Sequence, residues 1–172
     1  VSEWKELAHW MYGDVLTDRG FWYSHPLYYV RGLDKEELFW VPDENCLCML
    51  WHVGHIAHGE RLHIGRFLQS LEDPLVPPGY DIFGHEWCPV EAVREAVDDP
   101  EDVFQWVTDV RQASTDFIAN LNEDDWHKVP ETSEFGLTIA NWLFITVGHE
   151  AIHLGKVQMM RAMLEGRPDP PC

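Results

Sequence analysis

The sequence predicts an all-α fold, a four-helix bundle with a long irregular connection between its second and third main helices. Three observations carry this expectation. Apolar residues recur at spacings of three and four in four separate segments, the period of a helix with one buried face. No convincing alternation at spacing two, no repeat and no low-complexity tract is present. The segments are joined by short to moderate connections, as in packed helices. With 172 residues, 45% of them hydrophobic and nine of them tryptophan, the chain suits one compact domain over residues 1–172.

The first segment carries Trp4, Leu7, Ala8, Met11 and Val15 behind a candidate cap at Ser2, and Gly13 and Gly20 weaken it. A piece around Pro26 to Val30 ends at Gly32; Pro26 either kinks one long helix or opens a new one. Leu33 to Glu44 reads as a connection, closed by Asp43 or Asn45 as the cap of the next helix. From Cys46 to about Leu71 no proline occurs and the helical phase holds. Residues 72–99 contain Pro74, Pro77, Pro78, Gly79, Gly84 and Pro89 and read as irregular, with one short helix over Val90 to Val97. Tyr80, Phe83, His85 and Trp87 in this connection suit either a lid or a hydrophobic cover over one end of the bundle. Asp98-Asp99-Pro100-Glu101-Asp102 is a strong helix start, followed by the stripe Val103, Phe104, Val107, Val110, Phe117, Ile118 and Leu121. A polar loop from Asn122 to Gly136 leads into a final helix from about Thr138 to Leu164, stopped by Gly166 and the prolines beyond it.

The chemistry concentrates on that final helix. At about 100° per residue, His149 and His153 lie one turn apart on a face shared with Thr138, Trp142, Ile145, Lys156 and Met160. The face is mostly apolar and is expected to point inward, where a histidine pair serves a metal ion or is satisfied by polar neighbours. His149-Glu150-Ala151-Ile152-His153 matches HExxH, the zinc motif of metalloproteases. Its context argues against a protease: Lys156 and Met159 stand where a metzincin has Gly and His. The downstream acids Glu165 and Asp169 fall on or just past the same helix, and no edge strand holds a peptide. Glu150 projects about 100° from His149, so it is a base near an ion, a hydrogen-bond partner of a ligand, or a solvated residue.

A third ligand has to come from another helix, and His55 is best placed. Cys48, Trp51, Gly59, Leu62 and Arg66 fall within about 40° of it, and His52 and His58 lie about 60° to either side. Gly59 leaves room beside an imidazole or marks close helix packing. Three neutral imidazoles leave positions open on a zinc-like ion, which lowers the pKa of a bound water or activates a thiol.

The run Leu50-Trp51-His52-Val53-Gly54-His55-Ile56-Ala57-His58-Gly59-Glu60, followed by His149-Glu150-Ala151-Ile152-His153-Leu154-Gly155, resembles the DinB/YfiT-like superfamily of metal-dependent enzymes over nearly the whole chain. The resemblance implies a four-helix bundle, frequently a homodimer, with one divalent metal ion on His55, His149 and His153. Zinc or nickel come first for that ion, with iron or manganese as further options. Lys156 stands where the family commonly has Gln and is placed either for a substrate carboxylate or for solvent. The implied activities are thiol-dependent isomerisation and transfer of low-molecular-weight thiols to electrophiles. The sulfoxide-synthase activity of some relatives needs a second domain for which this chain has no room.

The expectation is therefore a metal-dependent enzyme acting on a small molecule, by thiol transfer, isomerisation or hydrolysis. Glu150 is its candidate catalytic residue, and Trp51, His52, Gly59, Trp142 and Lys156 line the approach. The alternatives are a metal- or ligand-binding bundle without turnover and a metal-free bundle with hydrogen-bonded histidines. Thirty acidic residues against twelve Lys and Arg give a formal charge of −18, which repels phosphate backbones and anionic membranes. Four cysteines without framework spacing, no signal-like start and no long apolar run suit a reduced, cytoplasmic protein.

Overall fold

A computed structural model describes residues 3–12, 25–72 and 76–166. Ser2, Gly13, Val15, Gly20 and Pro74, used in the sequence reading, lie outside them. The described residues form six α-helices and no strand. These are α1 (Glu3–Tyr12), α2 (Lys35–Leu38), α3 (Met49–Glu60), α4 (Val90–Ala96), α5 (Pro100–Asn120) and α6 (Ile139–Leu164). The sequence expects four main helices and one short one over Val90 to Val97. Only α1, α3, α5 and α6 reach ten residues, while α2 and α4 are short helices inside stretches read as connections.

The ends follow local chemistry. At α5, Asp99 caps by accepting from the Glu101 amide, with Pro100 in the first position. Thr138 and Asn141 form a reciprocal capping box at α6, and Gly166, at a φ of 62°, follows its last turn. Helix α3 starts later than expected, at Met49. Asp43 spends its carboxylate on the Asn45 amide, closing a turn before the helix, and Cys48 takes the cap position without a side-chain bond. Beyond Glu60 the same run widens into a π-type stretch over Arg61–Leu68. The connection after it contains a 3₁₀ turn, Tyr80–Gly84, and α4.

The apolar side chains gather in two clusters. One joins the first half of α3 with early α5 residues (Val103, Val107, Val110), Phe83 and late α6 residues (Val157, Met160). The other joins Ala8 and Tyr12 of α1, Ile64, Phe67 and Leu68 of the π stretch, Ile118, Trp126 and early α6 residues (Ile139, Trp142, Leu143). Helices α3 and α6 therefore run antiparallel. The halves of α3 and α5 that share a cluster are both their first halves, so the chain has to travel back along the molecule between them. Residues 69–99 span that return. Besides the apolar clusters, α3 and the middle of α5 and α6 carry buried polar side chains that include His52, Glu60, Arg111, Thr146, Glu150 and His153.

A candidate three-histidine metal centre

One ring nitrogen from each of His55, His149 and His153 lies within 4.8 Å of the other two. Helix α3 supplies the first and α6 the pair, as their helical phases require. The spacing suits a single ion bound by three imidazoles with coordination positions left open. Burial holds all three rings neutral: His149 is pushed down to about 4, His153 to about 3, and His55 below its ordinary value. Neutral imidazoles keep the lone pair that a metal needs.

The rings are oriented from behind. His55 Nδ1 donates to the Phe83 carbonyl at 2.6 Å, and because a carbonyl only accepts, His55 Nε2 is left with its lone pair on the side of the cluster. His55 Nε2 and His149 Nε2 are 3.0 Å apart, so the two nitrogens face one another across the cluster. Trp51 stacks on His55 with ring centroids 4.4 Å apart and an interplanar angle of 16°, and its indole donates to the Ile82 carbonyl at 3.1 Å. The turn at Tyr80–Gly84 thus accepts from two α3 side chains through consecutive carbonyls. Tyr80 and Phe83 in it are buried and pack with Trp106, as a cover on the bundle does; His85 and Trp87 are exposed.

Two glycines of α3 make this packing possible. A Cβ on Gly54 would stand 2.5 Å from the Phe83 ring, so the glycine seats the residue whose carbonyl holds His55. A Cβ on Gly59 would stand 2.9 Å from Cε1 of His149. The space at Gly59 therefore belongs to His149 across the helix interface, rather than to a pocket beside His55.

Of the residues expected to line the approach, Trp51, His52, Gly59 and Trp142 are buried in the packing around the three histidines. His52 meets His153, Nδ1 to Nδ1, at 2.9 Å. Trp142 lies against His63 and Phe67 and donates to Ser133 Oγ at 2.8 Å. Lys156 is exposed, as is Ile145, so the α6 face read as inward opens to solvent at these two positions. The Lys156 charge is one of the influences that lower the imidazole pKa values of His52, His55, His149 and His153.

Glu150 is turned away from the histidines. It is 2% exposed, and its carboxylate accepts from Arg111 Nη2 at 2.6 Å, while Glu60 pairs with the same nitrogen at 3.0 Å. Arg111 also donates to the Tyr12 carbonyl at 3.0 Å. None of the three expected places for Glu150 describes this ion-paired position in the core. Burial pushes its carboxyl well above the usual carboxylate range, Arg111 opposes that, and Glu60 adds to it.

Arg111 and His63 escaped the sequence reading. Arg111 had a signal: it falls on the stripe Val103, Val107, Val110, Ser114, Ile118, where a charge needs a buried partner. His63 lies at the edge of the cluster, with its ring centroid 5.9 Å from that of His149 and its Nδ1 3.1 Å from Thr146 Oγ1. Thr146 gives its own proton to the Trp142 carbonyl at 2.8 Å, so His63 Nδ1 is the donor in that contact.

The molecule is thus an all-α protein with a preorganised three-histidine cluster able to hold a metal ion. Residues 26–157 match the family profile described as the DinB superfamily. The chain belongs to the DinB superfamily, whose members bind metals. No match was found among curated proteins or among solved structures. Among the described residues no helix is long and apolar enough to cross a membrane.

Proposed function

We propose that this protein is a metal-dependent enzyme acting on a small molecule, with His55, His149 and His153 as ligands of one divalent ion, zinc or nickel before iron or manganese. The observation that carries this reading is the convergence of three neutral ring nitrogens within 4.8 Å, two of the rings being held through their far nitrogens. That arrangement fits a metal: a histidine ligand characteristically has its second nitrogen on a hydrogen-bond partner. A bound ion would supply Lewis-acid chemistry, lowering the pKa of a water or thiol brought to it. Thiol transfer or isomerisation, with a low-molecular-weight thiol as cosubstrate, is the reaction we favour, and hydrolysis stands beside it. Lys156, exposed and electrostatically coupled to the histidines, is the residue we assign to an anionic group of the substrate.

Glu150 is the argument against the protease reading of HExxH. A general base has to reach the reacting water, and this carboxylate is committed to Arg111 in the core. We read the four longer helices as the four-helix bundle of this family. We also infer a homodimer through the outer face of α6. There Phe144 is 72% and Ile152 62% exposed, and Gly148, Ala151, Gly155 and Met159 continue an uncharged surface. On a chain of formal charge −18, such a face is where a second copy can approach without repulsion. A cytoplasmic location is supported by free thiols at Cys46, Cys48 and Cys88.

The test is elemental analysis of protein purified without a polyhistidine tag, beside His149→Ala. One ion per chain, lost in the variant, is expected, followed by ion-dependent consumption of a thiol and an electrophile. An ion that restores thermal stability but no reactivity toward thiols, esters or amides would leave a binding bundle without turnover.

A further inference from the structure

We infer that His52 is a positioning residue that sets the tautomer of the ligand His153; this rests on the three-histidine metal site proposed above. His52 is 3% exposed and lies three residues before His55 on α3, with the Trp51 ring edge-on at 5.4 Å. Its Nδ1 stands 2.9 Å from Nδ1 of His153, which is itself buried. Two neutral imidazoles that meet through these atoms share one proton between them, so one ring donates and the other accepts.

The two arrangements differ in consequence. With the proton on His153 Nδ1, His52 accepts and His153 Nε2 presents a lone pair to the cluster. With the proton on His52 Nδ1, His153 carries its own proton on Nε2, and that nitrogen cannot ligate. His55 faces no such choice, because its partner is the Phe83 carbonyl, which only accepts. The cluster is thus preset at His55 and switchable at His153. The arrangement in which His52 is the acceptor is the one in which His153 could hold an ion, and His52 in turn fixes the ring angle of His153.

The experiment compares zinc affinity, by chelator competition, in the wild type, His52→Phe and His52→Asn. Phe keeps a ring without an acceptor, and Asn places an oxygen near the position of Nδ1. Ring-nitrogen NMR of the zinc-bound proteins reports which nitrogen of His153 carries the proton. Weakening by roughly 10- to 100-fold in His52→Phe is expected, with recovery to within a few-fold in His52→Asn. The His153 proton should sit on Nδ1 in the wild type and in His52→Asn. Wild-type affinity in His52→Phe would overturn the inference. So would equal weakening in both variants with equal loss of metal-free melting temperature, the result of a packing role. Should His52→Phe not fold, the wild-type spectrum decides: a zinc-bound His153 protonated on Nε2 overturns the inference. Absence of zinc binding in the wild type, or its survival in His149→Ala, would instead remove the metal-site reading and the inference with it.

Discussion

Gly54 and Phe83 are in contact across the interface between α3 and the turn after it, so close that a Cβ on Gly54 would stand 2.5 Å from the Phe83 ring. Phe83 is fully buried there, and its carbonyl is the acceptor for His55 Nδ1. A glycine one residue before His55 thus acts on that histidine through a turn 28 residues further along.

Gly54→Ala should therefore push Phe83 outward and release His55. Overpacking of this kind costs about 1–3 kcal/mol, and loss of the orienting bond should weaken metal binding about 10- to 100-fold. Thermal melts and chelator competition measure the two effects. Unchanged affinity in the folded variant would show that the Phe83 carbonyl does not orient the ligand.

Gly59→Ala should cost the site more than the fold. Its Cβ would meet the His149 imidazole at 2.9 Å, and that ring has to turn away to admit it. Gly148→Ala is the control, since nothing lies within 4 Å of a Cβ there and the position is exposed. Elemental analysis should find the ion lost or much reduced in Gly59→Ala and retained in Gly148→Ala.

Arg111→Ala should lower stability by about 3–5 kcal/mol, because it leaves Glu60 and Glu150 buried without their cation. Adding Glu150→Gln should recover part of that loss, because an amide then replaces one of the two buried carboxyl groups left without Arg111 as donor. Denaturant unfolding measures both. Additive losses in the double variant would contradict a shared ion-pair network.

Stability of the metal-free protein should have a maximum near pH 6.5. Burial pushes His25 and His52 down to about 3 and His58 and His63 to about 4, whereas unfolding returns them to about 6.5. Between those values the unfolded chain binds more protons, so stability is full above about 6.5 and is lost as pH falls toward 4. Glu150 acts in the opposite sense. Its raised pKa keeps a proton in the folded state that the unfolded chain releases above its ordinary 4.5, so its contribution declines as pH rises. Above pH 6.5 only the second effect remains, and Glu150→Gln should abolish the shallow decline there. A melting temperature that rises steadily from pH 6.5 to 8 in the wild type would contradict this balance.

Ion binding should raise the melting temperature by linkage. At about 100 times the dissociation constant, zinc should add about 2.7 kcal/mol to the wild type and nothing to His149→Ala. Equal shifts in both proteins would place the ion elsewhere.

What the sequence by itself determined is what depends on local periodicity and backbone chemistry. Spacing at three and four gave the helices, Asp99-Pro100 and Thr138 gave two of their starts, and the phase of α6 put His149 and His153 on one face. The motif context also singled out His55, on a second helix, as the residue to join them, and the three cluster. The tertiary structure decided what depends on the neighbour across an interface. Glu150 has the phase of a candidate base, yet Arg111 from α5 captures it, and no pattern within α6 encodes a partner on another helix. Gly59 looks like space beside His55 along its own helix and proves to be space for a ring on α6. His63 was hidden for a different reason. In α-helical phase it points about 80° from His55. The π-type stretch from Arg61 turns less per residue and swings it back toward the ligand face, so the departure from regular geometry, which periodicity cannot register, is what brings it beside His149.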